Sequence, residues 1–208
     1  MTTIYVSDKD KLPPLREAGF YPTELTLISA ALQEFIPTWG NIDSILDIGA
    51  GDGRWGKIAS VVYMPKYVVG VDIRNLPKPQ KFTDWHPRTD FLEWQPEQKI
   101  DLILSNPPYH IAEEIIRHAW PMLARGGTMM MLLRLSFQAG VTRGEELWQE
   151  IPPSFVAVCS RRPSFYGRGT NGTDYGVFVW ERSSDGSNMG TPGKWMTSLL
   201  LHERERKL

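Results

Sequence analysis

Ser105-Asn106-Pro107-Pro108-Tyr109 closes the apolar run Ile100-Asp101-Leu102-Ile103-Leu104, and its residue types are ones that can hold a planar amine. Two consecutive prolines fix φ and remove two backbone donors, so the carbonyls of Asn106 and Pro107 are left as acceptors pointing out of the turn. The Asn106 side-chain oxygen is a third acceptor, and an exocyclic NH2 on a purine has two hydrogens to donate. Tyr109 supplies a ring that can lie flat against the attached heterocycle, worth roughly 1 to 3 kcal/mol on the usual stacking scale. The plainer reading of the same residues is a Pro-rich turn after a buried strand.

A second group lies upstream. Ser44-Ile45-Leu46-Asp47-Ile48 runs into Gly49-Ala50-Gly51-Asp52-Gly53-Arg54-Trp55-Gly56, an order that predicts strand, glycine turn and helix. Alternating glycines permit a tight turn, let a ligand approach the backbone and expose helix-start amides to an anionic group. The spacing is not the G-x-G-x-x-G of dinucleotide sites but Asp47-x-Gly49-x-Gly51-x-Gly53, with an acid before the first glycine. Tyr67-Val68-Val69-Gly70-Val71-Asp72 predicts a second strand ending in a carboxylate roughly 20 residues beyond the glycines, where an acid can accept from both hydroxyls of a ribose.

On these two motifs and their order, the chain resembles the class I S-adenosylmethionine-dependent methyltransferases, in the amino-methylating branch that includes the DNA adenine-N6 methyltransferases. The resemblance runs over roughly residues 20 to 180. It implies that Asp47, Gly49, Gly51 and Gly53 line the methionine part of S-adenosyl-L-methionine, that Asp72 takes the ribose, and that Asp90 and Phe91 meet the adenine. Phe20-Tyr21-Pro22-Thr23 sits where the family carries an aromatic or proline-containing segment that touches the cofactor, with Pro-Thr here in place of the usual Thr-Pro. Tyr21 and Thr23 are therefore cofactor candidates, and Thr23 has a second reading as the N-cap of the helix that follows.

Asn106, Pro107 and Tyr109 are the implied catalytic residues, with Asn106 also beside the cofactor and Tyr109 also against the substrate. The implied reaction is in-line transfer of the methyl group to an amino nitrogen, with no metal and no covalent enzyme intermediate. Acceptors at Asn106 and Pro107 would favour the pyramidal amine and localise a lone pair otherwise spread into the ring. Cys159, inside an apolar strand, is read as packing; cytosine-C5 methylation instead needs a Pro-Cys nucleophile.

Composition narrows the setting. With 208 residues, 41% of them hydrophobic, the chain can bury a full core without disulfides or metals. One cysteine excludes an internal disulfide, and the four histidines lack zinc-ligand spacing. The amino terminus lacks the basic and apolar regions of a signal peptide, and Met129-Met130-Met131-Leu132-Leu133 is cut short by Arg134, so a cytoplasmic protein without a membrane span is expected. A net charge of -1 argues against gripping long nucleic acid by bulk attraction, so any basic face must be local. Arg161, Arg162 and Arg168 bracket Pro163-Ser164-Phe165-Tyr166-Gly167, which reads either as a substrate surface for phosphates and a displaced base or as a solvated turn.

These residues need a frame of alternating strands and helices: a helix over residues 24 to 36, strands near 44 to 48, 67 to 72, 88 to 91, 100 to 105 and 128 to 135, and a hairpin of 155 to 159 with 175 to 180. A helix over 111 to 123 is expected to end at Gly126-Gly127, and 145 to 150 reads as part of another. The fold class is thus α/β, mainly parallel with helices on both faces, and the resemblance implies a Rossmann-like sheet of seven strands, one antiparallel. Residues 1–182 form the expected domain, with 1–40 as a helical lead-in and 183–208 as a linker and short terminal element.

Too few residues follow the hairpin to build a reader domain, so recognition should be shallow and a partner protein for target recognition is plausible. The expected substrate is adenine in DNA ahead of RNA. Alternatives are an RNA amino-methyltransferase, a glutamine methyltransferase of release factors, which needs a longer segment before the glycines, and a cofactor-binding subunit of a modification complex. Intact Asn106 and Tyr109 argue against the last.

Overall fold

Alternating apolar side chains along the strands sort into two cores, one on each face of a single mixed sheet. The computed structural model describes residues 21–35, 41–165 and 172–202. In chain order these form α1 (Leu25–Glu34), β1 (Ser44–Ile48), α2 (Arg54–Tyr63), β2 (Tyr67–Asp72), β3 (Asp84–Pro87), β4 (Ile100–Ser105), α3 (Ala112–Ala119) and β5 (Leu123–Arg134). There follow α4 (Val141–Glu145), α5 (Leu147–Glu150), β6 (Phe155–Cys159), β7 (Tyr175–Glu181) and β8 (Met196–Leu200). Helices α1 and α2 cover one face through Leu27, Ile28, Ala31, Trp55 and Ala59; α3 and α5 cover the other through Ile115, Ile116, Leu147 and Trp148. β1 is buried along its whole length, as a central parallel strand covered on both faces must be.

The strand order is β3-β2-β1-β4-β5-β7-β6-β8. β7 runs antiparallel to β5 and β6, and every other neighbouring pair is parallel. One antiparallel strand was expected and is present, but among the described residues the sheet has eight strands rather than seven. The extra one, β8, comes from the segment read as a linker and short terminal element. It pairs with β6 and turns Leu200 inward while Met196 and Leu199 remain exposed.

Three local expectations are corrected. β3 occupies Asp84–Pro87, not 88 to 91, and Phe91–Glu93 form a 3-10 turn. The β3 residues Asp-Trp-His-Pro carry no apolar alternation, because an edge strand has only one covered side. Gly126-Gly127 lies inside β5 rather than ending a helix; α3 stops at Ala119, and a 3-10 turn, Trp120–Met122, leads into the strand. Gly126 sits at φ 77° and donates to Arg182 and Ser183 carbonyls, while a Cβ on Gly127 would come within 3.0 Å of the Asp101 carbonyl. The pair serves a register shift opposite Ile100 and Leu102, as a bulge does. The helix expected over 145 to 150 is split between α4 and α5.

Chain order reverses at β1. β2 and β3 build outward on one side, and the chain then returns to lay β4 on the other. Ile48 pairs with Val71 and with Ser105, so the turns after β1, β2 and β4 leave side by side from carboxyl ends. Open α/β sheets bind ligands at such a switch point. Among the described residues no helix is long and apolar enough to cross a membrane.

Candidate active site

The turn after β1 is held by its own hydrogen bonds. Gly49, Gly51 and Gly53 take φ of 63°, 60° and 75°, a left-handed region that side chains disfavour. The amides of Gly49 and Ala50 both donate to the Val71 carbonyl, and Gly51 N donates to Asp72 Oδ2 at 2.8 Å. Asp47 is buried and accepts from Gly56 N at 2.9 Å, tying β1 to the first turn of α2. Burial holds its carboxyl well above the ordinary carboxylate range, outweighing the Gly56 bond that acts the other way.

The glycines differ in role. A Cβ on Gly49 would meet nothing within 4 Å, so open space lies in front of the turn, whereas one on Gly53 would strike Pro79 and Phe82 at 2.6 to 2.8 Å. Gly49 therefore leaves room for a ligand, and Gly53 lets neighbouring chain pack.

Asp72, at the end of β2, is 2% exposed and fully engaged. Besides Gly51 N, it accepts from the Arg74 amide and Nε at 2.9 and 2.8 Å and from Arg74 Nη2 at 2.7 Å. These four donors match the roughly four lone-pair sites of a carboxylate, so a ribose diol can be accepted only if Arg74 withdraws. Thr89 N donates to the Asp72 carbonyl, which brings the next loop alongside. There Asp90 accepts from Leu92 N at 2.9 Å as the cap of the 3-10 turn. Phe91 is buried with its ring edge-on to His118, so its side chain faces the core.

The turn after β4 is anchored from both sides. Ser105 Oγ donates to the Ile48 carbonyl at 2.9 Å, joining the two strand ends. Asn106 Nδ2 donates to the Tyr21 carbonyl at 2.8 Å and to Thr23 Oγ1 at 3.2 Å, and Asn106 Oδ1 accepts from the Tyr109 hydroxyl at 3.1 Å. A carbonyl can only accept, so the Tyr21 contact fixes which end of the amide is nitrogen. The oxygen is thereby aimed away from Tyr21 with one lone pair still available. Thr23 also accepts from Trp55 Nε1 at 3.1 Å, which ties the segment before α1 to the glycine turn's helix. The N-cap position of α1 is held by Glu24, not Thr23.

Aromatic rings complete the wall. Tyr109 lies 5.8 Å from Tyr175, Tyr175 lies 5.3 Å from Phe165, and Phe165 lies 5.8 Å from Tyr21. Ser164 N donates to Glu24 Oε1 at 2.7 Å, which holds the segment after β6 against the start of α1. Burial pushes the Tyr109 hydroxyl far up, with Tyr175 adding to it, so Tyr109 remains a donor to Asn106 at neutral pH.

Not every expected residue faces this pocket. Phe165 is only 3% exposed and backs Tyr21 and Tyr175 instead of offering a free face. Arg162 pairs with Asp174 at 2.8 Å in an exposed salt bridge, and Arg161 is half-buried after β6. Tyr166 and Arg168 lie outside the described residues, as does Phe20. Burial pushes the Cys159 thiol up to about 12, and its side chain packs within the core under α1. Sequence reasoning missed Arg74 and Trp55 as site residues and took Tyr175 only as a strand residue. Their partners lie far off in sequence or in a local fork that no motif marks.

No protein-family model matches the sequence, and no curated protein is similar to it. Solved structures are. A protein from Listeria monocytogenes assigned to the class I S-adenosylmethionine-dependent methyltransferases superposes with a TM-score of 0.64 at 12% identity, covering 85% of this chain and 64% of that one. A modification subunit assigned to a type I restriction enzyme of Vibrio vulnificus gives 0.64 at 13% identity, over 90% and 48% of the two chains. A 16S rRNA N2 methyltransferase from T. thermophilus, solved with AdoMet and guanosine, gives 0.51 at 20% identity, over 84% and 44%. This chain spans less than two thirds of the length of each. The fold is that of the class I S-adenosylmethionine-dependent methyltransferases.

Proposed function

We propose that the chain is an S-adenosyl-L-methionine-dependent N-methyltransferase that acts on the N6 amino group of adenine in DNA with little sequence recognition. The carrying observation is the locked Asn106 amide, whose nitrogen is tied to Tyr21 and Thr23 and whose oxygen accepts from Tyr109, in a turn joined through Ser105 and Ile48 to the glycine turn. The cofactor supplies an electrophilic methyl on a sulfonium. Fit is supported by the open space before Gly49, with Asp47, Gly51 and Gly53 shaping that turn, and by Asp72 for the ribose once Arg74 moves. Tyr21, Thr23, Asp90 and Asn106 complete the cofactor set in this reading, while the Phe91 side chain is buried against His118.

The acceptor chemistry belongs to the second turn. Asn106 Oδ1, which takes the Tyr109 hydroxyl on one side, and the Pro107 carbonyl accept the two amine hydrogens. That geometry draws the nitrogen lone pair out of conjugation and points it toward the glycine turn. Tyr109 stacks on the base. The amine proton released after transfer leaves to solvent. Phe165 stiffens the wall, and Arg161, after β6, extends the substrate side. A partner protein supplies target recognition where it is needed.

Labelled cofactor incubated with separate pools of duplex DNA, single-stranded DNA, RNA and protein tests this, with the product identified by mass spectrometry. N6-methyladenine in DNA is the expected product. Label confined to RNA, or to glutamine, would replace the substrate while keeping the chemistry; cofactor binding with transfer to no pool would favour a non-catalytic subunit.

A further inference from the structure

Arg134 ends β5, the strand beside β4, and lies three positions past Met131, which pairs with Ser105. β5 therefore outruns β4 by about 10 Å at the carboxyl edge, given a rise of roughly 3.3 Å per residue. Its last residue stands above the double-proline turn. The Arg134 guanidinium carbon sits 4.9 Å from the centre of the Tyr109 ring. Arg134 is exposed, and its guanidinium donates to no described acceptor.

This separates it from three other arginines at the same end. Arg54 is paired with Asp52, Arg74 with Asp72, and Arg162 with Asp174, each within 2.8 Å. Stacking on a ring uses only the flat face of a guanidinium. The N–H fork at its edge stays available, and that fork matches the oxygens of a phosphate. A chain of net charge -1 has little diffuse attraction for a polyanion, so an unneutralised fork beside Tyr109 matters more than it would on a basic protein.

We infer that Arg134 is a substrate-binding residue that holds a backbone phosphate flanking the target base, keeping that base in place over Tyr109. This rests on the proposed nucleic-acid substrate. It makes the acceptor a nucleotide within a strand, not a free nucleoside.

A cycle of protein and ligand changes tests it on the full chain, by anisotropy of a labelled single-stranded oligodeoxynucleotide containing one adenine. Two further oligonucleotides carry an uncharged methylphosphonate at the linkage 5′ or 3′ of that adenine. Arg134→Ala should weaken binding of the natural strand about tenfold and lower the salt slope by about 0.7. One methylphosphonate should weaken wild-type binding similarly yet leave the alanine variant's affinity unchanged. Arg134→Lys should recover part of the loss, since it keeps the charge without the fork. Independent, additive losses for both methylphosphonates would overturn the inference, as would unchanged binding by Arg134→Ala or no binding by the wild type.

Methyl transfer to the same strand is scored separately. Coupling without methylation of adenine would leave the phosphate contact standing and remove the proposed activity. Methylation without coupling would do the reverse.

Discussion

The turns after β1 and β4 sit side by side and are built in opposite ways. In the glycine turn, the Gly51 amide is taken by Asp72, and Asp72 is itself filled by Arg74. In the proline turn, the amide nitrogen of Asn106 is tied back to Tyr21 and Thr23, while its oxygen accepts from Tyr109. In the proposed reading, one turn must exchange a contact to take its ligand, and the other needs no such exchange. Preorganised acceptors contribute directly to rate, whereas a filled carboxylate tunes affinity.

The largest effect should come from the proline turn. Asn106→Ala should lower the methyl-transfer rate by about 10² to 10³-fold, with cofactor affinity changed by only a few-fold, as removal of an aligned polar partner does. Equal losses in rate and cofactor affinity would erase the division of labour between the turns. Next come two substitutions of opposite sign in the glycine region, read by calorimetry with S-adenosylmethionine. Asp72→Ala should weaken binding by about tenfold to a hundredfold, the worth of charged hydrogen bonds to a diol. Arg74→Ala should strengthen it by about threefold, because a partly exposed ion pair no longer competes. A weakened Arg74→Ala variant would make Arg74 a ligand contact instead of a competitor.

A smaller effect concerns stability. Asp47 is held above its ordinary value of 3.8 in the folded chain, so the fold binds its proton more tightly than the unfolded chain does. Stability from this group is therefore full at low pH and is lost as pH rises above about 4 toward the folded value. Asp47→Asn keeps an acceptor for Gly56 N and should flatten that decline, raising the melting temperature at neutral pH relative to wild type. An unchanged pH profile would show that Asp47 is not held protonated. The smallest effect is at Cys159, where Cys159→Ala should cost about 1 kcal/mol of stability and leave the rate unaltered. With its thiol pushed up to about 12, Cys159 should also resist alkylation at pH 8 in the native protein.

Legibility in the sequence followed the same division. β1, β2 and β4 are continuous apolar runs that end in Gly49, Asp72 and Asn106, so both the strands and the turns beyond them could be read directly. β3 and β8 are edge strands with mixed polar residues, and neither carries a pattern that marks a strand. Gly126-Gly127 looks like a helix stop until the Asp101 carbonyl, supplied by a distant strand, is seen against it. In the site, the residues singled out from local motifs, Asp47, Asp72 and Asn106, lie together at the carboxyl ends of β1, β2 and β4. Contacts set by distant partners were not legible: Phe165 packs edge-on to Tyr21, Arg162 pairs with Asp174, and Arg134 lies over Tyr109 because β5 outruns β4.

The central claim, that the two turns form one pocket, is tested most directly by following amide resonances while S-adenosylmethionine is added. The backbone amides of Gly49 and Gly51 and the side-chain amide of Asn106 should shift together in one saturable process. Shifts confined to the glycines, with Asn106 unmoved at saturation, would contradict it, as would the absence of any saturable change.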